Sequence, residues 1–409
     1  MLNRIGARVV ATTLFLSLTA VAPAMAAAPK VYTLDGEYLQ IAKQRLSAND
    51  AKIKAAYDDL LVKANKALGA EPEAVTKKGL TPPSGDRHDY MSMGPYWWPN
   101  PDTKDGLPYI RKDGQTNPSS KNGNTDSVRI QFMCSGARDL SLAYFMSGDK
   151  KYADKAAAFI RTWFLDPATR MNPNLRYGQA VPGVVDGRGI GLIDTRNFWM
   201  VIDAVGLIQE SGALKPAEVD ALKAWFSEFA TWMVVSPTAR EEFAWGNNHG
   251  TFFDAQLANY ALFIGDTDLA TRVVKDAQTL RMAAQIARDG KIWYELERTQ
   301  PYHYTVFNLE AQARLARYSE QVKLETNTWN LVQDERSIKT AVDYAVGFVK
   351  EPKSWPFKDM KGVEFDAALN LILQSARAWP QEKDKYAALL PYIPASLNGD
   401  LSWLLWPIK

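Results

Sequence analysis

Apolar residues recur every three to four positions along most of the chain after about residue 125. Side chains at this spacing share one face of an α-helix. The segments with this pattern are Ser127–Met146, Tyr152–Phe164, Thr195–Ser211, Pro216–Met233, Gly250–Phe263, Leu269–Ala287, Thr305–Ser319, Ser337–Val349 and Glu364–Ala378. Strand-like alternation is scarce, and its candidate segments are Lys291–Glu295 and Tyr109–Arg111. The pattern therefore predicts an all-α protein, or nearly so.

A weak internal repeat indicates how the helices are joined. In Tyr144–Asp149 and again in Leu262–Asp266, an apolar helix ends at a glycine, an aspartate follows, and a second helical segment starts at once. Such a short link makes an antiparallel hairpin, and repeated hairpins either stack as a solenoid or close into a toroid. Many of the connecting segments are long and polar, which favours an (α/α) toroid or incomplete barrel with long functional loops.

The N-terminus has the features of a secretory signal peptide. A basic start precedes an apolar run from Val9 to Val21, and Ala24–Ala26 is a small-residue cleavage site. The run is too short for a stable membrane span. We predict a signal peptide at residues 1–26 and a single (α/α)-barrel domain at residues 27–409. The mature protein is then periplasmic or secreted, and we expect a monomer with no membrane contact.

Charge and composition narrow the classes of ligand. Removing Arg4 and Arg8 with the signal peptide lowers the formal net charge from +2 to about zero, so nothing global favours nucleic acid. An anionic ligand must instead meet a local cluster of cations. The lone cysteine, Cys134, excludes an internal disulfide. No HExxH, CxxC or calcium-loop spacing occurs in the sequence, so no metal or other cofactor is implied.

Aromatic side chains suggest a carbohydrate ligand. The 13 tryptophans and 17 tyrosines exceed what a helical core needs, and such residues often line sugar-binding grooves. Two long polar connections, Thr81–Asn124 and Asn172–Ile193, hold several candidate substrate-binding residues: His88, Tyr96, Trp97, Trp98, Gln179 and Arg188. The alternatives are a loop cap for the histidine, a turn for the arginine, core packing for the tryptophans and a lid packed on the barrel rim.

Two further segments carry groups that can do chemistry. Trp245–His249 includes Asn247, and about one helical hairpin later Glu297–Tyr304 supplies an arginine, two tyrosines and His303. Together they offer hydrogen-bond donors, a cation and a phenol, without paired carboxylates or metal-ligand spacing. That set suits elimination next to a carboxylate. A helix cap followed by a tyrosine-rich core stripe is the alternative, and the spacing alone leaves both readings open.

These motifs together resemble one group of enzymes. The chain is similar to the alginate lyase superfamily of polysaccharide lyases, which are helical-toroid enzymes that cleave polyuronates such as alginate or glucuronan. The resemblance runs from about Pro82 to Ala378. The segments that carry it are Tyr96–Pro99, Asn247–His249 and Arg298 to Tyr304 with Phe307–Leu309.

The resemblance implies a role for each motif residue. Asn248 and His249 face the uronate carboxylate, Tyr304 is the catalytic phenol, and Arg298 supports it. The stretch between the arginine and the phenol is about one residue shorter than in the best-known alginate lyases of this fold. Tyr302 is therefore the alternative catalytic phenol, and otherwise Tyr302 and His303 are candidates for substrate binding or packing.

Elementary chemistry supports the same assignment. Lytic cleavage removes the C5 proton, alpha to a carboxylate, and expels the oxygen at C4. Donors and a cation that neutralise the carboxylate stabilise the developing enediolate, and Tyr304 can take the C5 proton if nearby cations lower its pKa. In β-mannuronate and β-glucuronate both groups lie on one ring face, so one phenol serves both steps. In guluronate they lie on opposite faces, so a second group such as His249 must act.

Two other functions remain open on sequence. A helical-toroid glycoside hydrolase needs two carboxylates across a cleft. The candidates are Asp86, Asp89, Asp126, Asp186, Asp194, Glu295 and Glu297. A non-catalytic periplasmic glycan-binding protein would need no phenol at position 304. Mannuronate and glucuronate differ only at C2, and the sequence distinguishes neither these two nor endo from exo action.

Overall fold

The structure, a computed structural model, describes residues 27–409, so the predicted signal peptide lies outside the described residues. The α-helices in this range are α1 Gly36–Ser47, α2 Ala51–Gly69, α3 Ser127–Ser147, α4 Lys150–Ile160, α5 Trp199–Ile208, α6 Pro216–Val235, α7 Pro237–Phe243, α8 Asn248–Ile264, α9 Thr267–Ala277, α10 Trp293–Leu296, α11 Pro301–Ser319, α12 Ile338–Gly347, α13 Ala368–Ala378, α14 Lys383–Ala387 and α15 Ser402–Leu405. None of these helices is both long and apolar enough to cross a membrane.

The long connections contain four short β-strands. They are β1 Met91–Met93, β2 Trp97–Trp98, β3 Ile110–Arg111 and β4 Tyr177–Ala180. Strand β1 pairs in parallel with β4, which ties the first long connection to the second. Strand β2 pairs antiparallel with β3, which makes a small hairpin inside the first connection and confirms the strand predicted near residue 110.

All nine segments with helical spacing contain a helix, but the boundaries differ in instructive places. Helix α11 begins at Pro301, four residues before the predicted start, because proline suits the first helical position. Helices α1 and α2 precede the region in which we predicted helices. The predicted strand Lys291–Glu295 is wrong: Ile292, Glu295 and Leu296 are buried at helical spacing, and α10 starts at Trp293.

The repeated glycine-aspartate link forms helical hairpins as predicted. Gly148 and Gly265 end α3 and α8 in the left-handed conformation, with φ of 76° and 88°. Asp149 and Asp266 then cap α4 and α9 by accepting backbone N–H bonds through their side chains. In both places a tight turn lets consecutive helices pack antiparallel.

The two ends of the chain close the toroid. Helices α1 and α2 pack on α15, and Leu39 and Ile53 share one hydrophobic cluster with Leu404 and Trp406. Such contact between the first and last helices distinguishes a closed ring from an open solenoid. The fold is the predicted all-α toroid.

A buried carboxylate on α5 fixes the entry of the chain into this ring. Asp203 is 1% exposed and accepts the backbone N–H groups of Tyr32, Thr33 and Leu34 at 2.7 to 3.3 Å. Burial raises the pKa of Asp203 to about 6, and the three N–H bonds oppose that rise. The carboxylate thus satisfies three consecutive donors where the segment passes through the core.

We predict that Asp203→Ala lowers the free energy of unfolding by about 3 kcal/mol or more, because it leaves several buried N–H groups without an acceptor. Denaturant unfolding followed by circular dichroism measures the change. Exposed Asp220 on α6 provides the matched control, and Asp220→Ala should change stability by about 0.5 kcal/mol or less. Equal effects from the two variants would contradict the role given to Asp203.

Candidate active site

A cleft of about 560 Å³ opens where the long connections meet the N-terminal ends of α8 and α11. Most of the candidate residues from the sequence line it: Tyr96, Trp97, Gln179, Arg188, Asn247, Asn248, His249, Arg298, His303 and Tyr304. Two helix N-termini converge here, and their partial positive charge favours an anionic ligand.

The start of α8 places two candidates side by side. Asn247 is the N-cap, and its Oδ1 accepts the backbone N–H of His249 at 3.0 Å. The helix-cap reading of this motif is therefore correct for Asn247. It does not compete with a functional reading of Asn248 and His249, which lie in the first turn and line the cleft.

His249 is oriented by a buried carboxylate. Its Nδ1 lies 3.0 Å from Oε1 of Glu242, a residue on α7 that is fully buried. Burial raises the pKa of Glu242, and His249 is the largest influence that lowers it. This contact fixes the imidazole and leaves Nε2 as the ring nitrogen for a ligand.

Asn248 is held by a second buried carboxylate. Both the backbone N–H and Nδ2 of Asn248 donate to Glu295 of α10, at 2.6 Å and at 2.9 to 3.1 Å. Nδ2 of Asn308 donates to the same carboxylate at 3.0 Å. Burial raises the pKa of Glu295, whereas the three donors lower it. Oδ1 of Asn248 has no hydrogen-bond partner among the described residues.

Tyr304 lies between another phenol and a cation. Its hydroxyl is 2.7 Å from that of Tyr96, and the guanidinium carbon of Arg298 is 3.8 Å from the centre of its ring. Arg298 also donates to Asp113 at 3.2 Å. Burial and then Tyr96 raise the pKa of Tyr304, and Arg298 opposes them. Arg298 lowers the pKa of Tyr304 as expected, but burial and Tyr96 raise this pKa more. The hydroxyl is therefore protonated at neutral pH.

The structure decides between the two tyrosines of this segment. Tyr302 is 1% exposed, packs edge-on against Trp355 and Phe365, and donates its hydroxyl to the carbonyl of Ala345 at 3.3 Å. The prediction that Tyr302 binds substrate, or replaces Tyr304 as the phenol, is therefore wrong. On a helix, residues two apart point to different faces.

The second long connection contributes a strained glutamine and an arginine. Gln179 has φ of 49° and sits in β4, where Arg188 donates Nε to its carbonyl at 2.9 Å and Nη2 to its Oε1 at 3.2 Å. The guanidinium of Arg188 also lies 5.6 Å from the centre of the Trp97 ring. Left-handed backbone at a residue other than glycine often marks a functional site, and here it brings an amide and a cation to the cleft.

Besides Tyr302, two more predicted binding residues, His88 and Trp98, are not part of the cleft lining. Nδ1 of His88 lies 2.6 Å from the carbonyl of Arg170, so this histidine links the first long connection to the segment just before the second one. Trp98 points to the other face of β2 from Trp97 and donates Nε1 to the carbonyl of Gln115 at 2.9 Å. His303 does line the cleft, where it stacks on Phe307 and burial lowers its pKa.

The sequence reading missed several lining residues that carry charge: Arg111, Lys121 and Arg196. Arg111 and Lys121 lie ten residues apart in the first long connection, and Arg196 follows the second, so no motif or helical period groups them. Together with Arg188 and Arg298 they make the local cation cluster that a nearly neutral chain requires for an anionic ligand.

Carboxylates are few in the described lining of the cleft. It includes one, Asp194, which accepts hydrogen bonds from Tyr90, Ser92 and Gln179. The other nearby candidate for a hydrolase pair, Glu295, is fully buried beneath Asn248. Within residues 27–409 no group of three or more His, Cys, Asp or Glu side chains is placed to hold a metal ion.

Comparisons with known proteins identify related sequences and structures. The family model described as alginate lyase matches residues 74–355. An alginate lyase from Bacteroides ovatus is 37% identical, with a TM-score of 0.86 over 93% of this chain and 100% of its own. A search among curated proteins finds no match.

Two more distant structures share the fold. Alginate lyase A1-III from Sphingomonas species A1 is 15% identical, with a TM-score of 0.50 over 86% of this chain and 95% of its own. A histidine-to-alanine variant of A1-III complexed with a tetrasaccharide is 14% identical, with a TM-score of 0.52 and the same coverage. At these identities the likeness concerns the fold alone.

The cation cluster predicts salt-sensitive binding of an anionic polysaccharide. Affinity should fall steadily as salt rises about tenfold, because screening weakens exposed charges. Lys121→Ala should weaken binding about two- to fivefold at low salt. Intrinsic tryptophan fluorescence measures the affinity for the polysaccharide, and a Tyr304→Phe background keeps the polymer from being consumed. Lys275→Ala on α9 is the control for an exposed lysine elsewhere, and affinity indifferent to salt would refute the role of the cluster.

Proposed function

The chain belongs to the alginate lyase family and is a polysaccharide lyase, and we propose that it cleaves a β-1,4-linked polyuronate by β-elimination, leaving a 4,5-unsaturated uronate end. The observation that carries this proposal is the joint placement of Tyr304, Tyr96 and Arg298 in one cationic cleft with Asn248 and His249. A phenol and carboxylate-binding donors are what this elimination needs.

The first requirement is to neutralise the uronate carboxylate next to C5. Nδ1 of His249 contacts Glu242, and in the proposed mechanism the protonated imidazole donates its Nε2–H to the uronate carboxylate. Nδ2 of Asn248 donates to both oxygens of Glu295, and in the proposed mechanism its second amide hydrogen turns to the ligand. These donors stabilise the enediolate that forms as the C5 proton leaves, in the manner of an oxyanion hole.

The second requirement is a group that moves the proton. In the proposed mechanism Tyr304, ionised for the step, accepts the C5 proton, and the enediolate then collapses with formation of the C4–C5 double bond and breakage of the C4–O bond. The departing oxygen takes a proton from the same phenol. The Tyr96 hydroxyl at 2.7 Å can donate to the phenolate, and Arg298 lies against its ring.

The substrate class follows from the ring geometry. One phenol can serve both steps where the C5 proton and the C4 oxygen share a ring face, as in mannuronate and glucuronate. The match to an alginate lyase from Bacteroides ovatus supports alginate as the substrate, and the ring-face argument favours its mannuronate-rich regions. Glucuronan, which differs only at C2, is the second candidate because the same cleft chemistry acts on it.

The competing functions have less support. A hydrolase would need a second carboxylate opposite Asp194, and the described lining of the cleft supplies none. A glycan-binding protein would not need Tyr304 beside a second phenol and a cation. Export to the periplasm or the exterior remains part of the proposal, on the N-terminal sequence pattern.

Tyr304→Phe should lower turnover on polyuronate at least about a hundredfold while leaving polymer affinity nearly unchanged, because the variant loses the proton-transfer group but keeps the ring. Wild-type turnover should rise with pH on the alkaline side of neutrality, since burial raises the pKa of Tyr304 and the phenolate fraction grows with pH. Steady-state rates over a pH series measure both effects.

The neighbouring buried phenol provides the control for that test. Tyr302→Phe should keep its turnover and lose a little stability. Normal turnover in Tyr304→Phe would remove the phenol from the mechanism.

Product analysis tests the class of reaction. With chelator present, incubation with polymannuronate or glucuronan should give near-ultraviolet absorbance from unsaturated uronate ends in step with chain breaks. Polyguluronate should be cleaved more slowly, and cellulose should be untouched because it has no C5 carboxylate to form an enediolate. New reducing ends without that absorbance would show hydrolysis and overturn the proposal.

A further inference from the structure

Exposed aromatic side chains continue outward from one edge of the cleft. Trp245, Trp293 and Tyr294 are 45%, 50% and 60% exposed, and we refer to these three residues as the aromatic rim. Trp245 lines the cleft, with its ring centre 6.4 Å from that of His249. Clustered exposed aromatics next to a binding cleft commonly mark an interaction surface.

Tyr294 adjoins the cleft through a glycine. Its ring lies 3.5 Å from the position that a Cβ would occupy on Gly246. The two neighbours of Gly246, Trp245 and Asn247, both line the cleft. The ring of Tyr294 therefore packs against the same stretch of backbone that forms the cleft edge.

Helix α10 holds the outer part of the rim in place. Its buried Glu295 accepts the backbone N–H of Asn248 at 2.6 Å, so this one-turn helix is tied directly to the start of α8. Trp293 and Tyr294 lie on the opposite, exposed side of the turn. One edge of Trp293 is fixed by Phe357, with ring centres 6.4 Å apart, and Lys291 lies 5.3 Å from its ring centre.

We propose that the aromatic rim is an additional binding surface for the polyuronate chain, on which sugar rings outside the catalytic cleft stack. This inference rests on the proposed function. Trp245 makes the rim continuous with the cleft, so a chain that leaves the cleft on this side passes over the other two rings. Indole and phenol rings suit the apolar faces of pyranose rings while their polar edges stay in water.

Substitutions in the aromatic rim should weaken the binding of long substrates and leave short substrates unaffected. Trp293→Ala and Tyr294→Ala should each raise KM for long polyuronate about fivefold. Turnover at saturation should stay unchanged, and so should kcat/KM for the shortest oligomer that the wild type cleaves. Trp293→Phe and Tyr294→Phe should restore most of the affinity for the polymer. Tyr392→Ala, at a 53% exposed tyrosine near the C-terminus, is the matched control and should leave both substrates unaffected.

A binding measurement keeps this test independent of turnover. Affinity electrophoresis in gels containing polymannuronate or glucuronan should show weaker retardation of both alanine variants, in a Tyr304→Phe background as well. If the wild type binds but never yields unsaturated ends, the proposed function fails and the gel still tests the rim. If the wild type cleaves while the variants treat long and short substrates alike, the rim proposal is overturned.

Sedimentation velocity tests whether a second copy of the chain, and not a polysaccharide, occupies the aromatic rim. A second copy of the chain seated on the rim would make the wild type dimeric and the alanine variants monomeric. That result, with unchanged preference for long substrate, would replace the polysaccharide by a protein partner and overturn the proposal. An unchanged sedimentation coefficient together with the selective loss of polymer affinity supports it.

Discussion

The arrangement of the site depends on two fully buried carboxylates that flank a single pair of adjacent residues. Glu242 holds the imidazole of His249, and Glu295 holds both the backbone and the amide of Asn248. Burying a carboxylate is costly unless donors surround it, and these two are satisfied largely by the residues that they orient. Removing either carboxylate would remove the hydrogen bonds that orient its partner at the start of α8. The same Glu295 also fixes α10, so the cleft and its aromatic edge share one anchor.

The electrostatics of the cleft are local. The chain as a whole is nearly neutral once two N-terminal arginines are discounted, yet the described cleft lining brings together five cationic side chains from three connections. Burial raises the pKa of Tyr304 while Arg298 opposes it, so the phenol rests in its protonated form. A protonated resting phenol beside Tyr96 ties catalysis to the loss of that proton, and the surrounding positive charge favours that loss.

The long connections act as structured parts of the site. Pairing of β1 with β4 brings the loop of Tyr96 and Trp97 next to the loop of Gln179 and Arg188. The left-handed backbone at Gln179 is held by bonds from Arg188 to its carbonyl and side chain. Within the first loop, the Trp97 ring packs against Arg188 and the Tyr96 hydroxyl contacts that of Tyr304.

The sequence by itself determined the helical class, the glycine-aspartate hairpins ending at Gly148 and Gly265, and most of the residues that meet in the cleft, because helix periodicity, capping and short motifs are local properties. It could not choose between Tyr302 and Tyr304. Helix α11 begins at Pro301, four residues before the start that the apolar pattern predicts, so both tyrosines lie on its first turn and only one faces the cleft. It gave no sign that Arg111, Lys121 and Arg196 converge, or that Glu242 and Glu295 support Asn248 and His249. Glu242 and His249 lie seven residues apart on consecutive helices, whereas Glu295 and the three cations are distant from their partners in the chain. Only the packing of the helices and long connections brings these side chains to one site.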